Sequence, residues 1–237
     1  MPAARDAAKV FIAEINDQAP RTFGTYKVPY SEIDFVPDVS YPHTQLTPRT
    51  MGPIETQIGA HIAELVDDGA TLQLGAGGVP DALAQFLVDK RHLGLHSEMI
   101  SDGAIDLIES GVINNLLKVV SPGRSVISFM LGSQRLYDFV DGNEAIEMHP
   151  IDYTNDPSII RQNPNVVAIN SAGQIDLTGQ SNAESIGTRQ LSGVGGQVDF
   201  ARGAALSPGG KFILAFPSTA KDDKIRVSCP SLIPVPL

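Results

Sequence analysis

Cysteine is almost missing from this chain. Cys229 is the only one among 237 residues, so neither an internal disulfide nor a multi-thiolate zinc site can form. Basic side chains are also scarce. Lys and Arg number 17 against 27 Asp and Glu, a net charge of -10, which argues against a protein built to grip a phosphate backbone; nucleic acid is not an expected partner. No apolar run approaches the roughly 20 residues of a membrane-spanning helix, so no membrane partner is expected either. The opening residues, MPAARDAAKVFIAEIN, are interrupted by Asp6, Lys9 and Glu14 and lack the continuous apolar stretch of a secretory signal. A cytoplasmic protein is the expectation.

What is present is enough apolar sequence, 42% of residues, to bury a sizeable core in one large domain or two small ones. Residues 1–48 read as irregular, because prolines at 20, 29, 37, 42 and 48 repeatedly remove backbone donors and fix φ. From Pro53 the pattern changes. Ile54, Ile58, Ile62, Leu65 and Val66 recur at helical spacing up to Gly69. A strand over Thr71–Leu74, a glycine turn and a helix from Pro80 to about Asp89 then make one α/β unit. The alternation continues with strands over Leu95–Ile100, Ser125–Leu131, Val166–Asn170 and Phe212–Phe216, and helices near 102–110, 133–140 and 157–162. Strands alternating with helices predict an α/β fold with a mainly parallel sheet covered by helices.

Three places carry candidate chemistry. In Gln73-Leu74-Gly75-Ala76-Gly77-Gly78 a strand ends in small residues before a helix begins, which lets ligand atoms approach unpaired N–H groups. It is neither a Walker loop nor a complete dinucleotide fingerprint, since Asp81 stands where a third glycine would be. A tight turn is an equal reading of those residues taken alone. Gly193-Val194-Gly195-Gly196 is a second such loop running into a helix start. Glu98 is a carboxylate near the C-terminal end of an apolar strand, where open α/β sheets hold their ligands, and can serve as a general base or a covalent nucleophile. A solvated or ion-paired glutamate is the plainer alternative. Asn155-Asp156-Pro157 reads as the cap of a short helix, with Asn155 able instead to turn its amide toward a ligand. His92 and His96 are four apart, but Leu93-Gly94 between them marks a helix-to-strand transition, so no metal is expected. No Gly-x-Ser-x-Gly elbow is present.

The runs GATLQLGAGGVPDAL, LGLHSEMISDG, LYDFVD, DYTNDP, INSAGQIDLTGQ, SGVGGQVDFARGAA and PSTAK, in this order and spacing, resemble the acetyl-CoA hydrolase/transferase family, which includes 4-hydroxybutyrate, butyrate:acetate and succinate:acetate CoA-transferases. The resemblance covers most of residues 10–222. It implies the CoA-transferase (NagB/RpiA-like) α/β fold and coenzyme A or acyl-CoA as substrate, with no tightly bound cofactor. By it Glu98 matches the covalent glutamate that carries a glutamyl-CoA thioester, Gly196 an oxyanion-hole amide with Gly195 beside it, and Asn155 a substrate or oxyanion contact. Gln73, Leu74, Gly75, Ala76 and Gly77 match the loop that touches CoA or acyl groups, and Gly173 another CoA contact. At that last position the family usually reads Ser-Ala-Leu-Glu where this chain has Ser171-Ala172-Gly173-Gln174. The implied activity is CoA transfer to a small carboxylic acid, with acyl-CoA hydrolysis at the same site, or a remnant or partner-dependent CoA-binding chain, as alternatives. A homodimer or larger homo-oligomer is implied too. Against the family's length, residues 1–48 are expected to be the end of a preceding domain plus linker. Residues 49–237 are then a C-terminal domain cut short, with the family pattern lost after Lys224.

Overall fold

A strand that is apolar on both of its faces must be covered on both, and this chain builds that arrangement. The computed structural model describes residues 2–47, 51–75, 77–186, 189–220 and 225–229. At its centre four parallel strands lie in the order Lys211–Leu214, Val166–Asn170, Thr71–Gln73, Gly94–Leu95. A second parallel set follows, Ser125–Ile127, Ile146–Met148 and Phe23–Gly24. The two sets meet at a parallel bridge between His96 and Val126, where Ser97 N–H donates to the Val126 carbonyl at 3.0 Å. All four strands and all three therefore run the same way.

Val166–Asn170 shows why the sheet needs two covers. Val167 and Ile169 belong to the larger core with Leu72, Leu83 and Leu95, while Val166 and Ala168 face a smaller one with Ile160, Phe200 and Ala204. Pro53–Glu64, with proline in its first turn, packs on Gly78–Phe86; a Cβ at Gly59 would lie 2.9 Å from the Leu83 nitrogen, so glycine lets the two helices approach. Gln197–Leu206 supplies Phe200 and Ala204 to the other face.

Two expectations change in detail. Leu95–Ile100 and Ser125–Leu131, each read as one strand, are both split: past the His96 bridge they resume as Met99–Ile100 paired with Phe129–Met130. At the break the amides of Ser128 and Phe129 both donate to the Glu98 carbonyl, at 2.9 and 3.1 Å. Two residues oppose one, a bulge that re-aims the side chain beside it. Residues 2–47, read as irregular, supply the edge strand Phe23–Gly24. Among the described residues no helix is long and apolar enough to cross a membrane.

Just upstream of the bulge, Lys118 ties the two strands together. It is 4% exposed, and its Nζ donates to the carbonyls of Leu95 at 2.8 Å and Arg124 at 2.6 Å. Burial pushes the ammonium down to about 7, against the opposing field of Glu147. From there up to the ordinary value of 10.5 the unfolded chain holds a proton the folded one has released, so stability rises with pH through that window. Urea unfolding is expected to give about 2 kcal/mol more stability at about pH 9 than at about pH 7.5. Lys118→Met should be less stable, because two carbonyls lose their donor, and should lose this rise; parallel pH curves for the two proteins would contradict the assignment.

Candidate functional site

The C-terminal ends of the central strands converge on Glu98. Thr71–Gln73 ends in Leu74, whose N–H donates to Ser97 Oγ at 3.1 Å while the Ser97 hydroxyl donates to the Leu74 carbonyl at 2.7 Å. This pair of bonds fixes the residue before Glu98 against the first glycine loop. Gln73 is held by Asn170 at the end of the adjacent strand, whose Nδ2 donates to Gln73 Oε1 at 2.7 Å.

The Glu98 carboxylate meets the second loop and the 151–157 segment. Asn155 Nδ2 donates to Glu98 Oε2 at 2.7 Å. The sequence offers the Asn155-Asp156-Pro157 run as a helix cap or Asn155 as a ligand-facing amide, and both occur: Asp156 accepts from the Ser158 N–H at 2.7 Å and caps Pro157–Ile160. Asn155 ends Ile151–Thr154 and turns its amide to the carboxylate. Asn155 is 8% exposed, and its Oδ1 is buried with no partner among the described residues.

Gly196 closes the arrangement. Its φ of -77° and ψ of 1° suit any residue, so conformation does not demand glycine there. Space does. A methyl group at 196 would overlap Glu98 Oε2 and lie 2.5 Å from Asn155 Nδ2. Gly196 is also the N-terminal cap of Gln197–Leu206, whose first N–H groups have no helical partner.

Two openings flank the carboxylate. One, of about 150 Å³, is walled by Gln73, Leu74, Gly75, Met99 and Phe129 with Glu98 and Gly196 at its floor. The other, of about 470 Å³, is lined by Asp152, Asn155, Gly195 and Asp199 beside Glu98. Of the residues singled out in the sequence, Gln73, Leu74, Gly75, Glu98, Asn155, Gly195 and Gly196 thus surround one carboxylate. Gly77, at φ +130° where glycine is favoured, caps Gly78–Phe86 and lines a different cleft with Asp81 and Asp102. Gly173 donates to the Asn182 carbonyl at 2.8 Å and lines neither opening, and Ala76 lies outside the described residues. Among the described residues no group of three or more His, Cys, Asp or Glu is arranged to hold a metal ion. Sequence reasoning does not reach Ser97 and Asn170, which hold the first loop, and weighs His96 only as half of a metal pair with His92. The cue for a role of His96 at this site is its place two residues before Glu98 on a strand, which sets it on the same side as the carboxylate.

Comparison with known proteins agrees with the motifs. A profile described as the acetyl-CoA hydrolase/transferase C-terminal domain matches residues 132–234. A 4-hydroxybutyrate coenzyme A transferase of Clostridium kluyveri is 51% identical over 229 residues, 97% of this chain and 53% of the relative. The crystal structure of a 4-hydroxybutyrate CoA-transferase from Porphyromonas gingivalis superposes with a TM-score of 0.88 at 40% identity, covering 98% of this chain and 56% of that one. A more distant acetyl-CoA hydrolase of Kluyveromyces lactis is 29% identical over 140 residues, 57% of this chain and 26% of the relative. The chain spans about half the length of the curated relatives it matches.

The crowding at Gly196 makes a sharp comparison with Gly195, where a Cβ would meet nothing within 4 Å. In crystal structures of the two variants, Gly196→Ala should drive the Asn155 amide and the Glu98 carboxylate beyond hydrogen-bond distance, and Gly195→Ala should leave them in place. An intact Glu98–Asn155 bond in Gly196→Ala would contradict the steric argument.

Proposed function

We propose that this chain, which belongs to the acetyl-CoA hydrolase/transferase family, carries the covalent half-site of a CoA-transferase acting on acyl-CoA and a short-chain carboxylic acid. The observation that carries the reading is the Glu98 carboxylate at the strand ends, one oxygen held by Asn155 over Gly196 and both openings adjoining it.

The chemistry follows from which oxygen is held. Asn155 occupies Oε2, so Oε1 attacks the thioester carbonyl. The tetrahedral adduct collapses with loss of CoA thiolate, leaving an acyl-glutamyl anhydride in which Oε2 is the glutamyl carbonyl oxygen. The thiolate then attacks that carbonyl, and the charge developing on Oε2 falls on the atom to which Asn155 already donates. Collapse releases the first carboxylate and leaves a glutamyl-CoA thioester. An incoming carboxylate runs the same steps in reverse. In this scheme the N–H groups at the Gly195-Gly196 turn and helix start serve the oxyanion of the acyl carbonyl, and the Gln73–Gly75 backbone borders the bound thioester. A carboxylate is a weak nucleophile, so binding of the remote parts of CoA must drive the uphill anhydride step.

Hydrolysis at the same carboxylate is the second reading, favoured by the breadth of the cleft on the Asn155 side, about 470 Å³. The two activities differ in whether water reaches the anhydride or thioester. The reading also has the chain working within a larger assembly, as a homo-oligomer or with a partner.

Exchange of label from a free carboxylate into acyl-CoA tests the proposal. It should depend on the acceptor carboxylate and fall by about four orders of magnitude in Glu98→Ala, and by about 10²-fold or more in Asn155→Ala. Loss of acyl-CoA without any acceptor points to the hydrolase; near-normal exchange in Glu98→Ala overturns both readings.

A further inference from the structure

His96 is the most enclosed titratable side chain of the site, and the scheme above gives it no part. It is 1% exposed. Its Nε2 lies 2.8 Å from the carbonyl of Thr154, the residue before Asn155. A carbonyl only accepts, so Nε2 carries the proton and Nδ1 holds the lone pair. Nδ1 is buried without a partner among the described residues. The ring also stands edge-on to Phe200, with centroids 6.3 Å apart at 66°, and the Phe200 N–H donates to the Gly196 carbonyl at 2.9 Å. The His96 backbone N–H donates to Leu72, next to Gln73, at 3.0 Å, and its own segment reaches Glu98 two residues later.

One imidazole therefore touches the segment bearing Asn155 and the helix begun by Gly196, and its backbone carries Glu98. We propose that His96 is a positioning residue: as a neutral Nε2–H donor to Thr154, it sets the approach of the Asn155 amide to the Glu98 carboxylate and takes no proton from substrate. This rests on the transferase reading for its catalytic consequence, but the geometric claim stands without it. The environment suits a permanently neutral ring. Burial, with Lys118 and His149 adding positive field, holds the imidazolium down to about 4 in spite of the bond to Thr154. Asn155 itself reaches across only through its Nδ2 on Glu98, and its Oδ1 has no partner among the described residues.

Glutamine can present a donor near the position of Nε2, and leucine cannot, which separates positioning from filling of space. In ¹⁵N-labelled protein the ring signal lost in His96→Gln should be a neutral Nε2–H tautomer that does not titrate between about pH 5 and 8. The Asn155 side-chain amide pair, identified by its loss in Asn155→Ser, should keep its position in His96→Gln and move in His96→Leu. In turnover, kcat should fall about 10²-fold in His96→Leu with KM little changed, and recover in His96→Gln. A titrating ring, an Nδ1–H tautomer, or an Asn155 amide indifferent to His96→Leu overturns the proposal. Should His96→Leu fail to fold, the tautomer and the His96→Gln spectrum still decide. Should the wild-type assembly show no turnover, the transferase reading fails, and the two spectral measurements judge His96 independently.

Discussion

A neutral amide 2.7 Å from one oxygen of a carboxylate holds that oxygen and leaves the other free of the bond. That is what Asn155 does to Glu98, and the rest of the site is arranged around the contact. An ammonium or guanidinium in the same place would hold the carboxylate more tightly and make it a poorer nucleophile. An amide orients it without neutralising it, and in the proposed mechanism it would remain aimed at Oε2 when that atom becomes a carbonyl oxygen and then an oxyanion. Gly196 is the condition for this geometry, because the atom it lacks would occupy the space in which amide and carboxylate meet.

The fold delivers these groups from distant parts of the chain. Parallel strands bring their C-terminal ends, and so Gln73, Glu98 and Asn170, to one edge. The two-to-one pairing of Ser128 and Phe129 with Glu98 interrupts the strand at the residue whose side chain must leave the sheet. Buried polar side chains then lock the neighbours: Ser97 on Leu74, Lys118 across the two strands upstream, His96 on Thr154. Each satisfies backbone groups at a place where regular pairing stops, which is where a bulged sheet would otherwise leave them unmet.

Much of this was legible in the sequence. The parallel α/β order follows from strands alternating with helices, and the glycine loops and Glu98 stand out because strand ends, small residues and a lone carboxylate coincide. The bulge was not legible, since apolar spacing does not record that two residues will oppose one. Asn155 and Asp156 can both cap a helix, so their division of labour emerges only when Glu98, 57 positions away, is in place. Gly196 could be seen to be glycine, but its reason is a contact with Glu98 and not its own φ. Phe23–Gly24 is too short a strand to show any period amid the prolines around it.

In the proposed mechanism the Glu98 carboxyl carbon itself becomes covalently joined to CoA. The direct measurement is peptide mass spectrometry after the protein is mixed with acyl-CoA and reduced with borohydride, which converts a glutamyl thioester to an alcohol. The peptide holding residue 98 is expected to lose one oxygen and gain two hydrogens, only when acyl-CoA was present. A peptide unchanged while label still passes between acyl-CoA and carboxylate, or the same reduction at another glutamate, would contradict it.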